Sequence, residues 1–144
     1  MTRKIRLLLF GVVLSLAASA VSAQTGPYSF FAITPCRAVD TRGTSPLGQG
    51  QQRNFAIRGV CGVPATAAAV SINVAVTGAT TTSFLTLWPT GGPRPNVSNI
   101  NFTAADQALA NGAIVGLGAT STDLAVFNAS GTVHVIIDVT GYFQ

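Results

Sequence analysis

The fold class is decided by residues 132–139, which read TVHVIIDV. Apolar side chains occupy every second position of this stretch: Val133, Val135, Ile137 and Val139. Because successive side chains of a β-strand point to opposite faces, this alternation predicts a strand with one buried face. Residues 70–77, VSINVAVT, repeat the pattern, with Val or Ile alternating with Ser, Asn, Ala and Thr.

Shorter runs of the same kind lie on either side of these two stretches. They cover residues 28–33, 53–58, 84–88, 99–102, 113–117 and 123–128. Turns rich in Gly, Pro and Asn separate the runs at spacings of about 10 residues. Helical periodicity is weak, and we predict only one short helical turn, within residues 103–110. The sequence therefore predicts an all-β chain of about eight or nine strands, folded as a single antiparallel β-sandwich of jelly-roll or immunoglobulin-like type.

Charged residues are scarce, at 8% of the 144 residues, whereas typical soluble domains have about 25%. After residue 23 the chain carries five Arg and four Asp, with no Lys and no Glu. Scattered arginines do not form the clustered basic surface that a nucleic acid requires, so we predict no nucleic-acid partner. The apolar content of 48%, together with the low net charge, also excludes an intrinsically disordered chain.

The N-terminal segment, residues 1–23, has the features of a secretory signal peptide. Three basic residues within the first six precede an apolar run at residues 7–16, and small residues at 21–23 supply a cleavage site. The apolar run is shorter than the roughly 20 residues that span a bilayer; an uncleaved anchor is the alternative interpretation. We therefore expect a secreted protein, extracellular or at the cell surface. Its mature chain, residues 24–144, is expected to be one domain without a membrane span.

The chain has two cysteines, Cys36 and Cys61. A single pair in an exported protein indicates a disulfide bond, so we predict that these two cysteines are joined. A reactive thiol or a metal-binding pair is the alternative, but two cysteines and one histidine are too few for a zinc site.

Several stretches together carry a resemblance to a known family. They are residues 34–42 (TPCRAVDTR), 61–64 (CGVP), 93–95 (PRP), 98–102 (SNINF) and 133–143 (VHVIIDVTGYF). The chain resembles the secreted bacterial β-domain family whose members open on a PCRxVDTR motif and end on DVxGYF. The resemblance covers nearly the whole mature chain. It implies an extracellular or surface β-domain, and it leaves the function open because the family has no firmly assigned activity.

Candidate catalytic residues are few. His134 is the only histidine, and the nearest carboxylate in the sequence, Asp138, lies on the same predicted strand. At about 3.3 Å per residue the two lie roughly 13 Å apart, too far for the hydrogen bond of a Ser-His-Asp triad. Four aspartates and no glutamate also offer little for the paired carboxylates of glycoside hydrolysis. A secreted hydrolase is therefore the least favoured function, and we predict that the chain is not an enzyme.

Charged residues near both ends of the mature chain are candidates for structural ion pairs. Arg37, Asp40 and Arg42 lie close together in the sequence, and Asp138 lies in the last predicted strand. A charge is costly to bury without a partner, so we expect one of these arginines to pair with one of these aspartates and hold the chain ends together. A site for an anion or a carboxylate sugar is the functional alternative.

The region around Trp88 is the candidate ligand-binding site. Trp88 and Arg94 flank a loop rich in Gly and Pro, and Asn99 follows that loop. An exposed Trp can stack on a sugar ring while Arg and Asn form hydrogen bonds with it; a Trp that covers the edge of the sandwich is the alternative that we favour. The aspartates show no ligand spacing for calcium, which β-sandwiches often bind, so we predict no cofactor.

The leading functional prediction is a non-catalytic structural or adhesive module that acts through surface contacts. A carbohydrate-binding module, with a surface polysaccharide as partner, is the alternative. The mature chain has no Lys, and Lys commonly protects sheet edges from pairing with a second chain. The uncharged residues 24–33, QTGPYSFFAI, are therefore expected to add as a strand, either to the chain's own sheet or to that of a second copy.

Overall fold

The computed structural model describes residues 26–105 and 108–144. The predicted signal peptide, residues 1–23, lies outside these ranges, and so do the first two residues of the segment 24–33. The described residues form eight strands: β1 (Phe30–Asp40), β2 (Gln51–Phe55), β3 (Ala69–Thr77), β4 (Ser83–Pro89), β5 (Ile100–Phe102), β6 (Ala108–Gly116), β7 (Leu124–Asn128) and β8 (His134–Phe143). A short 3-10 turn, Thr41–Gly43, follows β1. No helix in this described part is both long enough and apolar enough to cross a membrane.

The strands form two antiparallel sheets. The first sheet has the order β1-β8-β3-β6, and the second has the order β2-β7-β4-β5. Strand β1 pairs with β8, β2 with β7, β3 with β6 and β4 with β5. Each strand of the first half of the chain thus pairs with its counterpart in the second half, as in one long hairpin whose turn joins β4 to β5. The successive strand pairs belong alternately to the first and the second sheet, and this arrangement defines a jelly roll. The predicted β-sandwich is confirmed, and its type is the first of the two alternatives.

The core between the sheets is built on the two alternating strands. The alternating apolar residues of β3 and β8, with the neighbouring Val133, are each 2% exposed or less: Val70, Ile72, Val74, Val76, Val133, Val135, Ile137 and Val139. Leu85 and Leu124 of the second sheet are fully buried in the same cluster. The polar residues between the apolar ones, such as Ser71 and Asn73, are partly exposed on the outer face of the first sheet. The period-2 pattern therefore identified the inward-facing side chains correctly.

Two segments differ from the expectation. Strand β1 continues to Asp40 instead of ending at residue 33, through register irregularities between Ala32 and Cys36 and between Arg37 and Val39. These irregularities interrupt the two-residue period, which is why the pattern identified only the start of the strand. The helical turn predicted within residues 103–110 is wrong for residues 108–110, because β6 begins at Ala108 and pairs residue by residue with β3. Sheet pairing here overrides the helix propensity of alanine.

Candidate functional site

The four charged residues near the chain ends lie in one cluster on the outer face of the first sheet. The Arg37 guanidinium donates two hydrogen bonds to Asp138, of 2.8 Å from Nε to Oδ1 and 3.2 Å from Nη2 to Oδ2. The Arg42 guanidinium binds Asp40 in the same two-pronged way, with its shortest bond of 2.6 Å from Nη2 to Oδ2. Nη1 of Arg37 lies 3.6 Å from Oδ2 of Asp40 and links the two pairs. The cluster therefore ties β1 and the 3-10 turn to β8.

The hydrogen bonds within this cluster favour the charged forms of Arg37, Asp40 and Arg42. Hydrogen bonds from the Arg42 side chain, and next from its backbone amide, hold the pKa of Asp40 well below its usual range. The pKa of Arg37 is raised mainly by its hydrogen bond to Asp138, and that of Arg42 mainly by its hydrogen bond to Asp40. Asp40 is thus an ionised acceptor near neutral pH, and a group in that state does not donate a proton to a substrate.

A second ion pair joins Asp123, just before β7, to Arg58 in the loop after β2. Asp123 is only 1% exposed, and its carboxylate accepts hydrogen bonds from the backbone amides of Ile57 (2.8 Å) and Arg58 (3.0 Å). The Arg58 guanidinium lies 3.6 Å from Oδ2 of Asp123 and donates to the carbonyl oxygens of Ala67 and Gly118. Sequence reasoning did not identify this pair, because its members are 65 residues apart and no local motif marks either one.

The predicted disulfide between Cys36 and Cys61 is confirmed. It connects β1, at the edge of the first sheet, to the loop between β2 and β3. Cys61 has a φ of 56°, a left-handed conformation that few residues other than glycine adopt. The bond therefore ties this loop to the edge strand of the first sheet.

His134, the only histidine, has a structural environment. Its Nδ1 lies 2.9 Å from the carbonyl oxygen of Thr41 and 3.3 Å from the hydroxyl oxygen of the same residue. The buried Thr41 hydroxyl also accepts a hydrogen bond of 2.8 Å from the backbone amide of Val135. His134 and Thr41 thus fasten the 3-10 turn to the start of β8. The carboxylates of Asp40 and Asp138 in the same sheet are bonded to arginines instead.

Trp88 does not form an open stacking surface. Its side chain is 4% exposed, and its Nε1 donates a hydrogen bond of 3.2 Å to the carbonyl oxygen of Gly92. Asn99 is also occupied, because its Oδ1 accepts a 2.7 Å hydrogen bond from the backbone amide of Leu87. The loop after β4 therefore folds back over the outer face of that strand. The buried Trp88 ring therefore has no open face on which a sugar could stack. Trp88 lies on β4, an inner strand of the second sheet, so it covers the face of that strand beneath the loop and not the edge of the sandwich.

Arg94 instead lies over the ring of Phe127 on the outer face of the second sheet. Its guanidinium carbon lies 4.1 Å from the centroid of the Phe127 ring, and the Phe84 ring is tilted against Phe127 at a centroid separation of 6.4 Å. Asn101 pairs with Phe84 across β4 and β5, and Gln52 pairs with Phe127 across β2 and β7. We call these five residues the aromatic face. Two shallow depressions, of about 450 and 290 Å³, lie beside Phe84.

A second group of aromatic side chains lies where β1 and β8 meet. Phe30 contacts Phe143 at 5.0 Å between ring centroids, and Phe31 stacks on Tyr142 at 5.2 Å. Phe30 and Phe31 are nevertheless about half exposed. We call these four residues the aromatic end. The described part of segment 24–33 pairs with β8 of the same chain here, so its strand adds to its own sheet.

Metal binding has no candidate cluster in residues 26–105 and 108–144: no three His, Cys, Asp or Glu side chains come close enough together to hold an ion. Comparisons of the chain with models of known protein families and with curated proteins give no match. The likeness of its motifs to the secreted bacterial β-domain family therefore stays a prediction. We base the functional proposal on the geometry of the chain itself.

Proposed function

We propose that this chain is a non-catalytic structural or adhesive module of the extracellular space that acts through contacts made by its surface. One observation carries the proposal. Each aspartate in the described residues, Asp40, Asp123 and Asp138, forms an ion pair with an arginine within the fold. The groups that acid–base chemistry would need are thus engaged in holding the sandwich together.

The side chains left on the surface are suited to contact instead of chemistry. Large apolar side chains in the described residues stay more than a third exposed: Tyr28, Phe30, Phe31, Val97, Leu109 and Ile114. Phe30 and Phe31 are consecutive on β1, so their rings lie on opposite faces of the first sheet, each against an aromatic ring of β8. Each of these half-exposed rings offers apolar area to another molecule. The disulfide supports an oxidising compartment, in agreement with the predicted signal peptide.

The test measures retention on surfaces together with turnover. Labelled residues 24–144 are applied to whole bacterial cells, to isolated cell-wall polysaccharide and to immobilised copies of the same chain. We expect retention on at least one surface, a severalfold loss of it in Phe31→Ser, and no hydrolysis of model esters or glycosides. Ser29→Ala, a change next to the aromatic end that removes no apolar area, is the matched control. Hydrolysis that disappears in His134→Ala would overturn the proposal, as would the absence of retention on all three surfaces.

A second candidate function is polysaccharide binding by the aromatic face. It is favoured by the position of Arg94 over Phe127, with Phe84 and the amides of Asn101 and Gln52 beside it. Aromatic rings that stack on sugars, together with planar groups that form hydrogen bonds, are the usual components of a sugar site. Trp88 then lies beneath the site, as support for the loop that carries Arg94.

Electrophoresis through gels that contain dissolved cell-wall or plant polysaccharides tests this candidate. We expect wild-type residues 24–144 to be retarded by at least one polysaccharide. Phe84→Ala and Arg94→Gln should each weaken binding about tenfold, which corresponds to about 1.4 kcal/mol. Ile114→Ala removes exposed apolar area from the other sheet and should bind like wild type. Equal retardation of all four proteins places the polysaccharide elsewhere on the surface.

A further inference from the structure

Each of the two sheets has two edge strands, and three of these four edges are poorly suited to accept another strand. Strand β1 contains Pro35, which has no N–H to donate, and is interrupted by register irregularities on both sides of Cys36. Strand β2 has only five residues, and its Arg53 guanidinium is bonded to the carbonyl oxygens of Ser45 and Pro46. Strand β5 has only three residues. None of these strands offers a long, regular ladder.

The fourth edge, β6, is different in length and in composition. Its nine residues, ALANGAIVG, include no charged residue and no proline. They pair one to one with β3, from Ala108 opposite Thr77 to Gly116 opposite Ala69, without a register shift. On the other side of β6 the residues that the structure describes supply no partner strand. In an antiparallel ladder about half of the backbone amide and carbonyl groups of an edge strand point away from its neighbour. The outer side of β6 is therefore a regular row of backbone donors and acceptors.

Apolar side chains stand exposed on both faces of this edge. Ile114 is 68% exposed and pairs with Ser71, on the outer face of the first sheet. Leu109 is 38% exposed and pairs with Val76, whose side chain lies in the core. A strand added beside β6 would cover Ile114 on one face and Leu109 on the other. Both the backbone groups and the side chains thus fit an extended, uncharged partner strand.

We infer that this partner is the β6 strand of a second copy, paired antiparallel about a two-fold axis near Gly112. The inference rests on the proposed function, names a second copy as a partner and adds the β6 edge to the aromatic end as a contact surface. Gly112 is the middle residue of β6, and the space where a side chain would extend from it is empty. With Gly112 on the axis, Ala110 of each copy lies opposite Ile114 of the other copy. The small alanine side chain thus leaves room for the larger isoleucine in both of these symmetric contacts. The result is one continuous sheet across two sandwiches, a closed and symmetric dimer.

The expected interface is small. A nine-residue strand is about 30 Å long and a sheet about 10 Å thick. Pairing then covers about 300 Å² of each copy, or about 600 Å² in total, which is below the roughly 1,000 Å² of most specific interfaces. The dimer should therefore be weak, and its formation should require a high protein concentration.

Light scattering coupled to size-exclusion chromatography tests the inference on residues 24–144 at a series of concentrations. We expect wild type to change from monomer to dimer as its concentration rises. Ile114→Lys places one lysine of each copy in the shared sheet and should raise the dimer dissociation constant at least tenfold. Val97→Lys is the matched control: it adds the same charge at a branched apolar residue that is 55% exposed on the loop over the second sheet, and it should dimerise like wild type. Circular dichroism checks that both variants fold.

Hydrogen exchange supplies a measurement that does not depend on the variants. Amides of β6 should gain protection as the wild-type concentration rises, whereas amides of β1 should not change. A dimer that Ile114→Lys leaves intact and Phe31→Ser dissociates would overturn the β6 interface and keep the contact function, with the aromatic end as its surface. A wild type that stays monomeric at all concentrations would overturn the inference alone, provided that retention on cells or polysaccharide persists. Loss of all of these interactions would overturn both proposals.

Discussion

The buried carboxylate of Asp123 holds the start of the loop between β2 and β3 in place. It accepts hydrogen bonds from two successive backbone amides and faces the Arg58 guanidinium. A buried polar group that loses its partner retains the full cost of leaving water. The same carboxylate is therefore far more consequential than the exposed ones of the chain-end cluster, which water can solvate when a partner is lost.

Asp123→Ala should lower the free energy of unfolding by about 3 kcal/mol, because it leaves the backbone amides of Ile57 and Arg58 without their acceptor and removes the counter-charge of the partly buried Arg58 guanidinium. Urea unfolding of residues 24–144, followed by Trp88 fluorescence, measures the change. Asp138→Ala, which breaks an exposed pair, is the control and should cost clearly less. Equal decreases in the free energy of unfolding of the two variants would show that burial does not determine how much the Asp123 hydrogen bonds contribute to stability.

Asp40 should make the stability of the fold depend on acidity. Its pKa is lower in the folded chain than in the unfolded chain, so its contribution is fully present above its ordinary pKa of about 4 and is lost as the pH falls below that value. We expect the thermal midpoint of Asp40→Asn to fall less steeply than that of wild type between about pH 4 and pH 2. Because the cluster is exposed, about 1 M salt should reduce the difference between the two proteins. Parallel pH profiles would contradict the assignment.

At the scale of single strands, β3 and β8 were predictable and β1 and β6 were not. In β3 and β8 one face is buried against the second sheet, so hydrophobicity alternates and the sequence shows it. In β1 the irregularities around Cys36 shift the phase of the alternation, and in β6 alanine and glycine carry almost no hydrophobic contrast. Both segments are strands because they pair with a neighbouring strand that is distant in the sequence. Such pairing leaves no pattern in the local sequence from which the strand could be predicted.

The candidate sites also divide into those that the sequence predicts and those that depend on contacts between distant segments. The pairing of Cys36 with Cys61 could be inferred from composition and compartment, because only two cysteines were available. The burial of Trp88 could not, because it depends on how the loop after β4 folds back over that strand. The Asp123–Arg58 pair and the aromatic face join distant segments, and only the assembled sheets bring them together.

Gly141 of β8 should not tolerate a side chain. A Cβ atom there would overlap the Phe30 ring and lie 2.8 Å from the backbone oxygen of Phe31. We expect Gly141→Ala to lower the free energy of unfolding by about 1–3 kcal/mol, as overpacking typically does. Gly112→Ala, in β6, meets nothing within 4 Å and should be nearly neutral when both are measured by urea unfolding in dilute solution. A neutral Gly141→Ala would mean that β1 moves aside without cost.

At the scale of the whole molecule, the disulfide joins the edge of the first sheet to the loop that leads out of the second. The Cys36–Cys61 loop has a sequence separation of 25 residues. Other connections between the sheets include the apolar core and the hydrogen bond from the Asn111 side chain of β6 to the carbonyl oxygen of Asn99. The disulfide should therefore stabilise the fold mainly by reducing the conformational entropy of the unfolded chain.

Replacing both cysteines by alanine should lower the free energy of unfolding by about 3.5 kcal/mol, the chain-entropy value for a loop of about 25 residues. Urea unfolding of the double variant against oxidised wild type measures this loss. Wild type treated with a reductant should match the double variant, which serves as a check that the bond, not the alanines, is responsible. Two free thiols in untreated protein recovered from the medium would contradict the pairing.

The two ends of the described body meet at one corner. The backbone amide of Ser29 donates to the carbonyl oxygen of Gln144 at 2.8 Å, and the amide of Gln144 donates back to Ser29 at 3.1 Å. A linker of a few residues could therefore join residue 144 to residue 29 without disturbing any strand pair. A circular permutant opened at the exposed residues 49–50, just before β2, would therefore keep all eight described strands, each with its present neighbours.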